Sequence, residues 1–126
     1  MGTLKPMRIG NRTIRVAGVK QKYIGNIIHA AEQCRYIERI VLFGSSVQDT
    51  CTVDSDIDLA VFGNVSKSKC LTSKQYREFT QKIYSFDNHE QAYDILYFKS
   101  SDQNNRFIMN EIDKGETIYV REKTTA

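Results

Sequence analysis

Several features that define other classes of protein are missing from this sequence. Its three cysteines, Cys34, Cys51 and Cys70, are odd in number and widely spaced, and no Cys-x-x-Cys occurs. We therefore expect neither a disulfide framework nor a cysteine zinc site, and this cysteine usage favours a reducing cytoplasm. The longest strongly apolar run, residues 40–43, is too short to cross a bilayer, and the N-terminus carries no apolar signal-peptide core. We expect a cytoplasmic protein that does not associate with membranes.

Low-complexity stretches, internal repeats and linkers are also missing from the 126 residues. Apolar residues make up 40% of the chain and charged residues 26%, which allows one packed core and argues against disorder. The length is that of one domain. We therefore predict a single domain over residues 1–126.

Charge is unevenly distributed along the chain, although the formal net charge is only +3. Residues 1–40 contain eight Lys or Arg and two Glu, whereas the remainder contains ten basic and thirteen acidic side chains. A basic first third could approach phosphate groups, but solvated surface charge is the simpler interpretation. The modest total disfavours a nucleic-acid partner without excluding one.

Apolar spacing and turn residues divide the chain into strands and helices. Two short strands are expected around the Gly10-Asn11 turn, and a helix over residues 19–38 follows them. A second helix should begin at a capping box formed by Thr72 and Gln75, and a third at Ser101. The remaining strands are expected at residues 39–43, 55–62, 92–98 and 117–120. Strands that alternate with helices predict an α/β or α+β domain built around one sheet.

Two aspartates stand at the start of the predicted strand 55–62. Asp56 and Asp58 are at positions i and i+2, so their side chains project from one face, roughly 6.5–7 Å apart along the chain. Carboxylates this close to an apolar core repel each other, and they either share a proton or hold a cation. Mg²⁺ takes oxygen ligands and completes its shell with water and substrate phosphates. The pair suits a magnesium site, although an Asp-Ser-Asp run by itself is also common in polar turns.

Asp94 repeats this pattern at the start of the predicted strand 92–98. If the two strands are neighbours, its carboxylate joins those of Asp56 and Asp58. Three carboxylates can hold two metal ions about 3.5–4 Å apart, which clamp the attacking and leaving oxygens in phosphoryl-type transfer. Asp94 could also take the proton from an attacking hydroxyl. Alone, Asp94 would be interpreted as a surface acid, so the hypothesis depends on all three residues together.

Gly44, Ser45 and Ser46 follow the predicted strand 39–43. Glycine lets a phosphate approach the backbone closely, and the following N–H groups and the Ser45 hydroxyl can donate to its oxygens. Such pairs end many strands, so the signal is weak by itself. With metal-ligand candidates on the next strand, it predicts a site for a nucleoside triphosphate with Mg²⁺, and we include Ser46 among the nucleotide-binding candidates.

In this order and spacing, the motifs resemble the polymerase-β-like nucleotidyltransferase superfamily. Gly44-Ser45 is followed, after ten residues, by Asp56-Ile57-Asp58, and the third acid, Asp94, lies on a later strand. The run DSDIDL and the length of the chain are similar to those of the minimal nucleotidyltransferases. The resemblance covers about residues 40–119 and is most specific at residues 44–59.

The resemblance implies a mixed sheet flanked by helices, as in the polymerase-β palm, and two Mg²⁺ ions. It implies transfer of a nucleoside monophosphate from a triphosphate, with ATP as the expected donor, to a hydroxyl. Gly44 and Ser45 would bind the β- and γ-phosphates. Asp56 and Asp58 would hold the metal ions, and Asp94 would complete the site and act as, or align, the general base.

The resemblance also implies a partner. Many minimal members are antitoxins that work with a helical HEPN ribonuclease, and some add AMP to a tyrosine of that toxin. A hydroxyl on such a toxin is therefore the expected acceptor. Other relatives modify aminoglycoside or lincosamide antibiotics, which gives a further alternative. The sequence is also compatible with a homodimer.

Three positions depart from the pattern of the small members. Ser46 and Thr52 stand where Arg is usual, and Asp49 stands where Gly is usual. Each missing Arg removes a phosphate contact worth about 1.5–3 kcal/mol, and Asp49 adds a negative charge near the expected triphosphate. These departures favour an alternative function, in which the fold persists and the protein neutralises a partner by binding, with weak or no catalysis.

Overall fold

The computed structural model describes residues 3–101 and 106–122. The strands are β1 (Leu4–Ile9), β2 (Arg12–Ala17), β3 (Ile37–Phe43), β4 (Ile57–Gly63), β5 (Tyr93–Lys99) and β6 (Glu116–Val120). The α-helices are α1 (Gln21–Glu32), α2 (Lys67–Leu71), α3 (Lys74–Ser85) and α4 (Arg106–Asp113), and 3₁₀ turns lie at Gly18–Lys20 and Gly44–Val47. Within these two segments, no helix combines the length and the apolarity that crossing a bilayer requires.

Four strands form the main sheet in the order β5-β4-β3-β6. The β4–β5 pair is parallel, whereas β3 pairs antiparallel with both β4 and β6. Every residue of β4 except Asp58 is buried, as expected for an interior strand covered on both faces. The sheet is therefore mixed and flanked by helices, which confirms the predicted α+β class.

The two faces of the sheet differ in what covers them. Leu59 and Val61 of β4 belong to the large core under α1 and α3. Ala60 and Phe62 point the other way and meet Ile112 of α4 in a smaller cluster. Because side chains alternate along a strand, Asp58 lies on this second face. That face is thus apolar beneath α4 and acidic at the end where β4 begins.

The first two strands form a separate hairpin, as predicted. Gly10 occupies the first central turn position with a φ of +58°, where glycine is favoured because it lacks a Cβ. The hairpin is attached to β6 by one side chain and one backbone group of the basic first third of the sequence. The Arg12 guanidinium donates to Thr117 O at 2.7 Å, and the Arg15 backbone N–H donates to the Glu116 carboxylate at 2.6 Å. Part of this basic segment therefore has a structural role.

The first long helix is shorter than the predicted 19–38, since α1 ends at Glu32 and β3 already begins at Ile37. A turn replaces the last part of the predicted helix, in which the Cys34 N–H donates to Ala31 O and the Ile37 N–H donates to Cys34 O, both at 3.0 Å. The Arg121 guanidinium donates to the same two carbonyls at 3.0 Å and 2.7 Å and so holds this turn from beyond β6.

The predicted cap of the second long helix was wrong by one residue. Ser73 is the N-cap, and its hydroxyl oxygen accepts the Tyr76 N–H at 3.1 Å. The Thr72 hydroxyl instead donates to Ser68 O at 2.8 Å, at the end of the short α2, which the sequence analysis missed. The residues of α3 that face the core are buried: Tyr76, Phe79 and Ile83.

The predicted third helix corresponds to α4, with Ile112 buried and Gly115 after its end. The expected Ser101 cap concerns residues 102–105, which lie outside the described residues. Gly115 brings the chain against β3, because a Cβ there would collide with Leu42 O and lie 2.9 Å from the Phe43 Cβ.

Candidate active site

Three chain segments meet at one edge of the main sheet. Because β3 is antiparallel to β4 and β4 is parallel to β5, the end of β3 lies beside the starts of β4 and β5. Phe43 pairs with Asp58, and Asp58 pairs in register with Asp94. The expected adjacency of the two acid-bearing strands is confirmed. The Gly44–Val47 turn follows Phe43 directly and therefore lies at the same edge.

The three aspartates differ in exposure. Asp58 is half-buried within β4, whereas Asp56 and Asp94 are exposed. Asp56 lies one residue before β4, so the prediction that placed it inside the strand was wrong by that margin. The physical reason is that Ser55 O accepts a hydrogen bond from the Gln91 side chain at 3.0 Å.

Burial, together with repulsion between carboxylates, shapes the electrostatics of this edge. Burial raises the pKa of the Asp58 carboxyl, and the Asp94 and Asp56 carboxylates raise it further. Burial and the same two carboxylates raise the pKa of Tyr84, whose hydroxyl donates to Tyr93 O at 3.4 Å. The edge therefore carries an excess of negative charge that a cation would offset.

The carboxylates at this edge suit an open magnesium site rather than a closed one. Across residues 3–101 and 106–122, no three His, Cys, Asp or Glu side chains are grouped as a ready-made metal site. A nucleotide-bound Mg²⁺ needs no such group, because one or two carboxylates plus phosphate oxygens and water complete its shell. Asp58, with Asp56 and Asp94 acting on its charge, fits this kind of open site.

At Gly44 the backbone of the turn passes close to the Asp58 side chain. Its φ is +69°, and a Cβ added there would collide with Oδ2 of Asp58 and lie 3.1 Å from Cγ. The turn backbone is thus pressed against the half-buried carboxylate. The Ser45 hydroxyl donates to Asp56 O at 3.4 Å, a long hydrogen bond that links the turn to the acidic segment.

Replacing Gly44 by Ala is expected to destabilise the fold by more than the roughly 1–2 kcal/mol that a left-handed backbone costs an L-residue, because the collision with Asp58 adds to it. Urea unfolding measures this loss. Gly25→Ala is the matched control, since Gly25 is exposed in α1 and a Cβ there meets nothing within 4 Å. That variant should gain roughly 0.5–1 kcal/mol. Equal stability of Gly44→Ala and the native chain would contradict the strained geometry.

Comparison with protein families agrees with this geometry. The model of the family described as polymerase beta, nucleotidyltransferase matches residues 25–124. The chain belongs to this family. The match includes the Gly44–Val47 turn and all three aspartates. A comparison with curated proteins finds no significant match.

Ser46, which the sequence analysis included among the nucleotide-binding candidates, is not exposed at the acidic edge. It is completely buried, and its hydroxyl has no hydrogen-bond partner among the described atoms. The 3₁₀ turn carries it inward, where β2 packs against the turn. Its burial argues against direct nucleotide contact, and the prediction is kept for Gly44 and Ser45, which are partly exposed.

The two other departures from the family pattern have local structural roles. The Asp49 carboxylate accepts the Leu4 N–H at 3.3 Å and so ties the hairpin to the loop after the turn. The Thr52 N–H donates to the Ser55 hydroxyl oxygen at 3.0 Å, and Ser55 N–H donates to Thr52 O at 3.1 Å. Neither residue supplies a cation to a phosphate.

Sequence reasoning missed three residues beside the site: Lys20, Tyr84 and Gln91. Lys20 is completely buried, and its position four residues before Ile24 on the apolar face was a signal that could have been used. Tyr84 and Gln91 reach the acidic segment only through tertiary contacts. No local pattern identifies them.

Proposed function

We propose that this family member transfers a nucleoside monophosphate from a nucleoside triphosphate, with ATP as the donor, to a hydroxyl group in a Mg²⁺-dependent reaction. The observation that carries the proposal is the in-register pairing of Asp58 with Asp94 at the edge where the Gly44–Val47 turn lies. Membership of the family supports the same class of chemistry.

Each group in the proposed site has a distinct role. Gly44 and Ser45 bind the β- and γ-phosphates through backbone N–H groups and the Ser45 hydroxyl. Asp56 and Asp58 would hold Mg²⁺ together with phosphate oxygens and water, and Asp94 would complete the site when a second ion binds. Bound Mg²⁺ would supply positive charge against the phosphate oxygens. Burial and, after it, the Asp94 and Asp56 carboxylates raise the pKa of Asp58, which supports a cation-binding role for that residue.

The proposed reaction is an in-line displacement. The acceptor hydroxyl oxygen forms a bond to the α-phosphorus, the bond from that phosphorus to the bridging oxygen of the β-phosphate breaks, and pyrophosphate leaves. Asp94 accepts the hydroxyl proton or aligns the group that does. The difference in exposure supports this division of roles, because Asp94 is open to an acceptor whereas Asp58 is half-buried.

The acceptor that we propose is a hydroxyl on a partner toxin of the HEPN type, so the protein would act as an antitoxin. β5, which carries Asp94, is an edge strand of the sheet, and Asp56 and Asp94 are exposed. An exposed carboxylate on a strand at the side of the sheet is accessible to an acceptor hydroxyl on the surface of another protein. A small-molecule acceptor such as an antibiotic is the alternative for the same chemistry.

A second function, binding without catalysis, is favoured by the three altered family positions. Ser46 is buried, and Asp49 and Thr52 serve the hairpin and the loop. None of them offers the positive charge that an Arg would bring to the triphosphate. In this function the fold neutralises a partner through its surface.

Calorimetric titration with ATP, in the presence and absence of Mg²⁺, tests the proposal. We expect metal-dependent binding that the double variant Asp56→Asn with Asp58→Asn abolishes. Asp54→Asn is the matched control, because Asp54 is an exposed aspartate of the same loop. A double variant that neutralises the partner as well as the native chain would favour the binding function. Transfer of labelled nucleotide to an antibiotic without any protein partner would favour the small-molecule acceptor.

A further inference from the structure

Lys20 is a charged residue inside the core. It is 0% exposed and ends the 3₁₀ turn that leads into α1. Its ammonium donates to Gln91 Oε1 at 2.6 Å and to Val53 O at 3.1 Å. Burial lowers the pKa of Lys20, and the nearby charges of Asp56 and Asp54 act against that shift. A buried lysine is rare and costly, so its placement calls for a reason.

Gln91 extends these contacts to both acidic segments. It is 6% exposed, and its side-chain amide donates to Ser55 O at 3.0 Å and to Ala92 O at 2.7 Å. Ser55 immediately precedes Asp56, and Ala92 lies two residues before Asp94. We call Lys20 and Gln91, with these four hydrogen bonds, the Lys20–Gln91 brace. It joins the N-terminal end of α1 to the backbone in front of two of the three carboxylates.

The brace takes the place of ordinary sheet hydrogen bonding. Ile57 N–H donates to Ala92 O at 3.0 Å, the first bond between the two segments. On the N-terminal side of that bond, Ser55 O is held by a side chain rather than by the β5 backbone. Besides the long Ser45 contact and the Thr52–Ser55 turn, the brace is what joins this exposed segment to the core, and metal ligands function well only when their supporting groups hold them in place.

We infer that Lys20 and Gln91 are positioning residues, which fix the segments that carry Asp56 and Asp94 relative to Asp58 for the binding of a divalent cation with its nucleotide. The inference rests on the proposed function, because it names the support of that same site. Neither side chain is exposed enough to contact the substrate, so both act through the segments that they hold.

Three explanations of Lys20 predict different results. If the brace sets geometry, removing either member weakens metal-dependent binding. If Lys20 acts only as a positive charge, its removal strengthens cation binding and removal of Gln91 changes nothing. If the brace only stabilises the fold, binding falls no more than in other variants of equal stability.

The experiment compares Lys20→Met, Gln91→Met and the double variant with the native chain. Calorimetry with ATP and Mg²⁺ gives affinity, and urea unfolding without metal gives stability. We expect each single variant to bind roughly 10–100-fold more weakly, the usual effect of losing a group that supports metal ligands. The double variant should be little worse than either single one, because the two residues share one network.

Ile27→Val and Ile27→Ala are the matched controls. Ile27 is fully buried in α1 and belongs to the main core, so these variants lower stability by graded amounts without touching the brace. A third readout needs no ligand. In the metal-free protein, hydrogen exchange of the Ile57 amide, which donates to Ala92 O, should be faster in both brace variants.

The outcomes separate the two proposals. Native protein that binds Mg²⁺ and ATP, with Gln91→Met equal to it in affinity and in Ile57 exchange, overturns the positioning inference alone. Tighter binding by Lys20→Met overturns it as well. Native protein that binds no nucleotide in the presence of Mg²⁺ overturns the proposed function and the inference together. If Lys20→Met does not fold, Gln91→Met still decides, since it keeps the lysine.

Discussion

The Asp58→Asn variant is expected to melt at a higher temperature than the native chain when both are free of metal at neutral pH. Burial and the Asp94 and Asp56 carboxylates raise the pKa of Asp58 in the folded state. Ionised Asp58 therefore opposes folding, and a neutral amide of similar shape removes that opposition. Thermal unfolding followed by circular dichroism measures the difference.

The pH dependence follows from the direction of this shift. A carboxyl whose pKa is raised on folding binds its proton more tightly in the folded state, so it favours folding at low pH. This contribution is complete below the ordinary pKa of an aspartate and is lost as pH rises through the raised value. The advantage of Asp58→Asn should therefore be small in strong acid and grow toward neutral pH. A constant difference at every pH would contradict the assignment to Asp58 ionisation.

Addition of Mg²⁺ and ATP should reverse the order of the two melting temperatures. A ligand present at 100 times its Kd stabilises the protein that binds it by about 2.7 kcal/mol, and only the native chain keeps the carboxylate proposed to hold the metal. Asp54→Asn, the control from the same loop, should respond to the ligand as the native chain does. The ionised Asp58 carboxylate would thus lower the stability of the metal-free protein and favour ligand binding, a trade-off that is common at functional sites.

Asp94→Asn is expected to reduce nucleotide transfer by roughly 10²–10⁴-fold, the usual contribution of a general acid or base. Asp94 is exposed, on an edge strand, and paired in register with Asp58. Asp56 and Asp58 remain in this variant, so binding of ATP with Mg²⁺ should fall much less than turnover. Pyrophosphate release in the presence of the acceptor, beside calorimetric affinity, separates the two effects.

Asp113→Asn serves as the control for this experiment, because Asp113 is an exposed aspartate at the end of α4. It should leave both turnover and affinity unchanged. Equal losses of turnover and of affinity in Asp94→Asn would assign Asp94 to metal binding alone. Unchanged turnover would remove it from the catalytic scheme.

Local patterns predicted the elements that depend on short-range chemistry. Apolar spacing and turn residues predicted the strand over residues 55–62 and the helix that corresponds to α3. The Gly44-Ser45 and Asp56-x-Asp58 motifs indicated the family, which the match over residues 25–124 shows. Each of these signals lies within a few consecutive residues, where periodicity and residue type are enough.

Errors arose where a distant residue decides a local conformation. The turn after α1 is held in part by Arg121, which reaches Ala31 O from beyond β6. The start of β4 depends on Gln91, which occupies Ser55 O. The burial of Ser46 depends on the packing of β2 against the 3₁₀ turn. In each case, the residues that make the contact are too far away in the sequence for a local pattern to reveal it.

The periodicities, the acids and the glycine that indicate the family can be read along the chain, because those properties belong to neighbouring residues. The pairing of Asp94 with Asp58, the burial of Ser46 and the contacts of Lys20 and Gln91 near the acidic edge become visible only in the folded protein. Strand order and side-chain networks join residues far apart in the chain, and their energies depend on contacts that form only when the whole core packs.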